Sequence, residues 1–278
     1  MRIAYQGEPG AYSEAAALAF KPSASLLPCR TFEDVFRAVT EGAATHGVLP
    51  LENSIGGSIH RNFDLLVEHD LPIVGEVEVQ VDHCLLAPPG VARRDIRRVF
   101  SHPQGLAQCE RFLRSLPDAE LVATYDTAGS AKLIRDEGLR DTAAVASARA
   151  AELFGLDVLV RGIQDFAANI TRFVVVARSA DRSAAGDRTT IVFALPNVPG
   201  ALFKALSVFA VREIDLLKLE SRPIRGKPWE YMFYADLDLG RHDARAARAI
   251  VHLAEFARWV RTLGSYPRWK DGCASGLE

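Results

Sequence analysis

Thr171-Arg172-Phe173 opens the run Val174-Val175-Val176-Ala177. That run is β-branched and reads as a buried central strand, which puts the Thr171 hydroxyl at a sheet rim, where open α/β folds receive ligands. A hydroxyl there can donate or relay a hydrogen bond, although threonine is too poor an acid to protonate a group unaided. Thr171 is equally a residue type that favours strand starts. Arg172 carries a guanidinium fork that matches a carboxylate bidentately, or else it pairs with an acid on the alternate strand face. Phe173 reads as core or cleft wall. Upstream, Glu52-Asn53-Ser54 precedes Gly56-Gly57 and a helix start expected near Ser58. Asn53 and Ser54 offer polar side chains beside free backbone N–H groups, a set suited to a carboxylate, while turn chemistry explains the pair as well. Glu52 would repel an anion and is read as orienting its neighbours. Ser101 and Gln104 are similar candidates around His102-Pro103, where the histidine reads as a helix cap. Thr127 either donates to a ligand from a helix start or only caps it.

The elements that must hold these groups are legible as alternating short strands and capped helices over residues 2–178, the pattern of an α/β domain with a largely parallel sheet. Arg2 to Gln6 reads as a strand. Thr31 with Asp34 forms a capping box for a helix that stops at Gly42. Pro103 takes the first helical position, with Leu106, Cys109 and Leu113 on one face. Asp126-Thr127 opens a further helix that ends at Gly138. The small, polar stretch from Ser179 to Asp187 reads as a linker, and the tail from Lys270 as frayed. Between them a second rhythm appears: a strand over Thr189 to Leu195, a helix over Pro199 to Arg212 and two strands around Gly226. A second helix over Ala244 to Val260 and a strand near Arg261 to Ser265 close a βαββαβ, ferredoxin-like unit.

Composition supports an ordinary globular chain: 278 residues, 49% hydrophobic, 24% charged and a net charge of −2. Near neutrality with scattered Lys and Arg offers no footprint for nucleic acid or an anionic membrane, so a small metabolite is the expected partner. No signal-like start and no long apolar run is visible, and a cytoplasmic location is expected. The four cysteines, Cys29, Cys84, Cys109 and Cys273, form no CxxC pair, so neither a zinc site nor a disulfide framework is expected.

Four strings carry a resemblance. They are Gln6-Gly7-Glu8-Pro9-Gly10-Ala11-Tyr12-Ser13-Glu14, Leu49-Pro50-Leu51-Glu52-Asn53-Ser54-Ile55-Gly56-Gly57, Ser101-His102-Pro103-Gln104-Gly105-Leu106-Ala107-Gln108-Cys109 and Asn169-Ile170-Thr171-Arg172-Phe173. In this order they resemble the GAYSE, ENS, SHPQ and TRF motifs of the prephenate dehydratase family. Gly200-Ala201-Leu202 and Glu220-Ser221-Arg222-Pro223 resemble the phenylalanine-site motifs of the ACT module attached to such enzymes. Phe203 and Gly105 depart from the valine and alanine usual at those places.

The resemblance implies a two-lobed catalytic domain over 1–180, similar to the type 2 periplasmic-binding-protein fold, with its second lobe at about 80–165. An ACT regulatory domain follows over 188–268. It implies decarboxylative dehydration of prephenate to phenylpyruvate without metal or other cofactor, feedback by L-phenylalanine, and a homodimer or homotetramer. Thr171 is the residue to which the family assigns help to the departing hydroxide. Asn53, Ser54, Ser101, Gln104, Thr127, Arg172 and Phe173 are the expected substrate contacts. If Arg172 binds substrate it should take the pyruvyl carboxylate, because a tight ion pair to the carboxylate that leaves would stabilise the ground state. Arogenate, the transaminated substrate, is the nearest alternative. A non-catalytic amino-acid-binding regulator is a further one, against which the intact Thr171-Arg172-Phe173 triplet argues.

Overall fold

The computed structural model describes residues 1–116, 118–178, 186–224 and 226–270. Most of the expected linker, the tail beyond Lys270 and Cys273 lie outside the described residues. The chain opens with β1 (Arg2–Gln6), α1 (Tyr12–Phe20), β2 (Ser25–Cys29), α2 (Phe32–Thr40), β3 (His46–Asn53), β4 (Gly57–Ser58), α3 (His60–His69) and β5 (Ile73–Gln80). Next come β6 (Cys84–Ala87), β7 (Arg98–Ser101), α4 (Pro103–Gln108), α5 (Glu110–Leu113), β8 (Glu120–Ala123), α6 (Thr127–Glu137), β9 (Thr142–Ala146), α7 (Ala148–Phe154), β10 (Asp157–Arg161) and β11 (Ile170–Ala177). The last elements are β12 (Arg188–Ala194), α8 (Ala201–Ala210), β13 (Leu216–Pro223), β14 (Tyr231–Leu237), α9 (Ala244–Phe256) and β15 (Trp259–Tyr266).

These elements form two compact units, one of residues 1–62 and 77–173 and one of residues 63–76 and 174–278. The division falls within α3, β5 and β11. One sheet has the order β2-β1-β3-β11-β5, with β4 paired to β3; another has the order β10-β6-β9-β7-β8. Both β1 neighbours and both β7 neighbours are parallel, whereas β6 pairs antiparallel with β9 and β10. The second sheet is apolar on both faces because side chains alternate along each strand. Leu86, Phe100 and Ala144 pack with Ile134 and Phe154 on one side, while Leu85, Val99 and Val145 pack with Leu113 on the other. Each fully buried Leu, Val or Phe contributes about 1.5–3 kcal/mol relative to exposure.

The second unit contains a β-α-β-β-α-β order with the sheet β13-β14-β12-β15, every neighbouring pair antiparallel. Its core gathers Phe193, Val208, Phe209, Leu237 and Leu253.

Of the element boundaries that differ from the sequence reading, three have a physical reason in the fold. Helix α3 starts at His60, not near Ser58, because Gly57 and Ser58 fold back as a short antiparallel bridge on Asn53 and Glu52. The helix begun at Pro103 breaks at Cys109, since the Gln108 carbonyl is taken by the Asp165 N–H at 2.7 Å and the Asp165 carboxylate caps Arg111. Helix α9 stops at Phe256, so Val260 belongs to β15, where Arg258 N–H already donates to Ala194 O at 2.8 Å. The apolar four-three spacing runs on past that stop, but Trp259, Val260 and Thr262 are strand formers.

Candidate functional site

Within the first unit, strand ends and helix starts surround a cavity of about 510 Å³, the size of a small-molecule site. Strands supply Gln6, Asn53, Thr171 and Phe173; the starts of α1, α2, α4 and α6 supply Tyr12 and Ser13, Thr31 to Glu33, Gln104 and Gly105, and Thr127. Local sequence explains why those starts are well defined. The reciprocal capping box of Thr31 and Asp34 opens α2. Asp126 Oδ1 accepts from Gly129 N–H at 2.7 Å to open α6, and His102 Nδ1 accepts from Gln104 N–H at 3.2 Å to open α4. Among the described residues no Lys or Arg lines the cavity. An anion there would be received by backbone N–H groups, hydroxyls and carboxamides.

Asn53 is the hub of the polar wall. Its Oδ1 accepts from the N–H groups of Ile55 and Gly56 at 3.0 and 2.7 Å, and its Nδ2 donates to Thr171 Oγ1 at 3.0 Å and Asn169 Oδ1 at 2.7 Å. The Thr171 oxygen is thus already an acceptor, which leaves its own O–H to point into the cavity that it lines. Thr171 is β-branched and 8% exposed, so its hydroxyl direction is restricted. A side chain on Gly56 would displace the end of the flexible Gln104 side chain on the cavity wall.

Electrostatics differ around the wall. Burial pushes the Asp126 carboxyl up to about 6, against the pull of the Gly129 and Ala128 N–H groups. Glu33 is held below the usual carboxylate range by its hydrogen bond from Arg61 Nε at 2.7 Å. Burial pushes both His83 and His102 down from the ordinary imidazole value.

Of the residues expected from sequence, Thr171, Asn53, Gln104, Thr127 and Phe173 stand on the cavity wall. Arg172, Ser54 and Ser101 do not. Arg172 falls between Thr171 and Phe173 on the alternating strand, and its Nη2 lies 3.7 Å from Glu52 Oε2. Ser54 Oγ donates to Ala168 O at 2.8 Å and accepts from Ile170 N–H at 2.9 Å, stitching the approach to β11. Ser101, fully buried, donates to Val145 O at 2.7 Å behind Gly105. Tyr12, His83, Gln108 and Asp126 also line the cavity and were not expected there. Tyr12 and Gln108 lie inside the quoted strings, whereas nothing local marks His83.

In the second unit, Gly200 takes φ 78° immediately before α8, and Ala201 and Leu202 begin that helix. Glu220, Ser221, Arg222 and Pro223 end β13. Arg222 Nη2 donates to Asp64 Oδ2 at 3.0 Å, and Lys218 Nζ lies 3.6 Å from Glu220.

The prephenate dehydratase family model matches residues 3–181. Arogenate dehydratase/prephenate dehydratase 6, chloroplastic, of Arabidopsis thaliana is 50% identical over 284 residues, covering 96% of this chain and 69% of that protein. A prephenate dehydratase from Arthrobacter aurescens solved in complex with L-Phe is 33% identical, with a TM-score of 0.87 over 96% of this chain and 90% of that one. The structure of GqqA, described as a novel type of quorum quenching acylase, is 38% identical with a TM-score of 0.87, covering 97% and 98% of the two chains. The expectation of a cytoplasmic location is overturned, because several Arabidopsis relatives about 50% identical are named chloroplastic. Compartment is set by addressing segments and not by the residues that build a fold, so composition and charge are a poor guide to it. With matching motifs, family model and relatives in agreement, the chain belongs to the prephenate dehydratase family.

Proposed function

We propose that this chain catalyses the decarboxylative dehydration of a prephenate-type ring, and that Thr171 assists the departing hydroxide. The observation that carries the reading is the Asn53 Nδ2 to Thr171 Oγ1 contact at 3.0 Å beside a cavity wall without Lys or Arg among the described residues. In the reaction the bond from the ring to its carboxylate breaks, that electron pair enters the ring, and the bond to the ring hydroxyl breaks. The products are carbon dioxide, hydroxide and an aromatic ring, and solvent protonates the hydroxide. Thr171 donates a hydrogen bond to the oxygen as charge develops on it, and Asn53 N–H stabilises the negative charge that this draws onto Oγ1. A wall of neutral donors also avoids a strong ion pair to the carboxylate that must leave.

The same contact argues against an acyl-transfer reading suggested by the name of GqqA. A nucleophile needs a base to take its proton, and among the described residues the side chain at hydrogen-bond distance from Thr171 Oγ1 is the Asn53 carboxamide, which is no base.

Two substrates share this apparatus: prephenate with its keto side chain, and arogenate with an ammonium in its place. Arogenate is favoured by the carboxyl groups of Glu33 and Asp126 on the wall and by the names of the plant relatives. The catalytic part comprises residues 1–180 as two lobes similar to a type 2 periplasmic-binding-protein fold, the second at about 80–165. Residues 188–268 act as an ACT domain that binds L-phenylalanine through the segments 200–202 and 220–223, and the Arthrobacter relative solved with L-Phe supports this. A homodimer or homotetramer is in keeping with the exposed Leu217 and Leu219 on the edge strand β13.

The test is one assay of purified protein with prephenate and arogenate in parallel, following phenylpyruvate and phenylalanine. Product from either supports the dehydratase, and the ratio of kcat/KM values names the substrate. Absence of product from both, with L-phenylalanine still bound, would favour the amino-acid-binding regulator.

A further inference from the structure

A chain of polar contacts can be followed from two backbone amides to an imidazole, and each step fixes the next. A backbone N–H can only donate, so the Ile55 and Gly56 contacts make the Asn53 atom facing them the oxygen, and the opposite atom the donor nitrogen. That nitrogen meets Asn169 Oδ1 at 2.7 Å, which turns Asn169 Nδ2 toward Gln108 Oε1 at 2.8 Å. Gln108 Nε2 closes the ring on Asn53 Oδ1 at 3.2 Å. Gln108 therefore offers only lone pairs to His83 Nε2, 3.0 Å away, and that nitrogen must carry a proton. On its other side Nδ1 faces the Tyr12 oxygen at 3.2 Å, and the Tyr12 O–H donates to the Asp82 carbonyl at 2.8 Å. Tyr12 also packs edge-on against the ring, with centroids 5.5 Å apart. His83 is 2% exposed and desolvation disfavours its charged form, so the ring is neutral with its proton on Nε2.

We infer that His83 is a positioning residue: through its Nε2–H it holds the Gln108 carboxamide, and through Gln108 and Asn53 it sets the direction in which Thr171 presents its hydroxyl proton to the cavity. The inference rests on the dehydratase reading above, since it is the direction of the Thr171 proton that makes the network matter. Loss of the Nε2–H frees the Gln108 carboxamide to rotate. Asn53 then loses one of the three donors that aim its carboxamide, and the alignment of Thr171 loosens while the cavity keeps its shape. The signature is a fall in kcat without a matching rise in KM.

The experiment compares His83→Leu, His83→Gln and His83→Asn with the wild type in the dehydratase assay, and records the imidazole nitrogen NMR spectrum of the 15N-labelled wild type. A glutamine amide places its N–H where Nε2 stood, and an asparagine amide places it where Nδ1 stood. We expect His83→Leu and His83→Asn to lose roughly tenfold in kcat with KM within about twofold, His83→Gln to recover most of the rate, and the spectrum to show the Nε2–H tautomer. Equal rates in all three variants beside an active wild type, or an Nδ1–H tautomer in the wild type, would overturn the role of His83 while leaving the dehydratase reading intact. A wild type that turns over neither substrate would sink that reading and this role together. Should the leucine variant fail to fold, the wild-type tautomer and the glutamine-to-asparagine ratio still decide the matter.

Discussion

The network around Thr171 and the anchoring of segment 63–76 solve their polar problems by opposite means. In the first, the groups around Thr171 are neutral: two asparagines, a glutamine, a neutral histidine and backbone amides, joined one to the next by hydrogen bonds. In the second, segment 63–76 is tied to the β-α-β-β-α-β elements by charge. Arg188 Nη1 lies 2.5 Å from Glu76 Oε2, Arg222 Nη2 3.0 Å from Asp64 Oδ2 and Arg261 Nη1 3.1 Å from Asp70 Oδ1. A neutral network fixes direction without creating a strong field, which suits the proposed release of a carboxylate as carbon dioxide. The Arg188–Glu76 pair is buried, and such a pair carries a large desolvation cost and tolerates poorly the loss of one partner, which suits a fixed anchoring role, whereas Arg261–Asp70 is solvent-exposed.

The sharpest way to break this comparison is to remove the single hydroxyl on which the neutral network converges. Thr171→Val keeps the β-branched shape, and we expect kcat to fall a hundredfold or more, about 3 kcal/mol, with KM and melting temperature little changed. Thr171→Ser should keep part of the rate. Retention of most activity by the valine variant in steady-state assays would reduce Thr171 to a structural residue.

The second unit should respond in stability and not in rate. Arg188→Met leaves Glu76, 3% exposed, without its arginine partner while Trp269 N–H still donates to it at 3.1 Å. The expected loss is about 3 kcal/mol in denaturant unfolding, with kcat at 25 °C unchanged. A variant as stable as the wild type would show that this pair contributes nothing net, and an equal fall in kcat would erase the contrast between the units.

Asp126 stands apart on the cavity wall, a carboxyl whose burial raises its pKa to about 6. Because the folded state binds the proton more tightly than the unfolded one, this group's contribution is fully present below its ordinary carboxylate range and is lost as pH rises through about 6. The loss between pH 4 and 7 should be about 2 kcal/mol. Asp126→Asn, which keeps a capping side chain, should remove that slope from chemical denaturation curves taken across the range. An unchanged slope would assign the titration to another group.

Much of this arrangement was legible where the deciding physics is local. The Thr31 and Asp34 capping box and the Asp126 to Gly138 helix are properties of a few adjacent residues, and both stand as the sequence reads. Strand alternation sets Arg172 on the face opposite Thr171, beside Glu52, which is the acid-pairing alternative that the sequence offers next to carboxylate binding. What could not be read is the closure of the network. His83 and Gln108 are 25 residues apart, Asn53 and Thr171 118, and only the fold makes them neighbours. The break at Cys109 has the same origin, since Asp165 that causes it lies far along the chain.

The smallest expected effect concerns Gly105, which lines the cavity where alanine is usual in the resembled motif. An added methyl would lie 2.7 Å from Ser101 Oγ and 3.4 Å from Thr127 Cγ2. Ser101 is fully buried and committed to Val145 O, so the methyl is accommodated by a small shift of α4 toward the cavity. Against that strain stands the helix preference for alanine over glycine, about 1 kcal/mol. The two nearly cancel, so Gly105→Ala should leave the melting temperature within a few degrees of the wild type. The shift narrows the wall next to Thr127 and Gln104, the proposed substrate contacts, and leaves Thr171 on its own strand. The expected signature is therefore a KM about two- to threefold higher with kcat unaltered, read from steady-state kinetics on the better substrate. A tenfold fall in kcat would mean that the helix-borne and strand-borne walls are coupled, and that the neutral network extends across the cavity through Gln104.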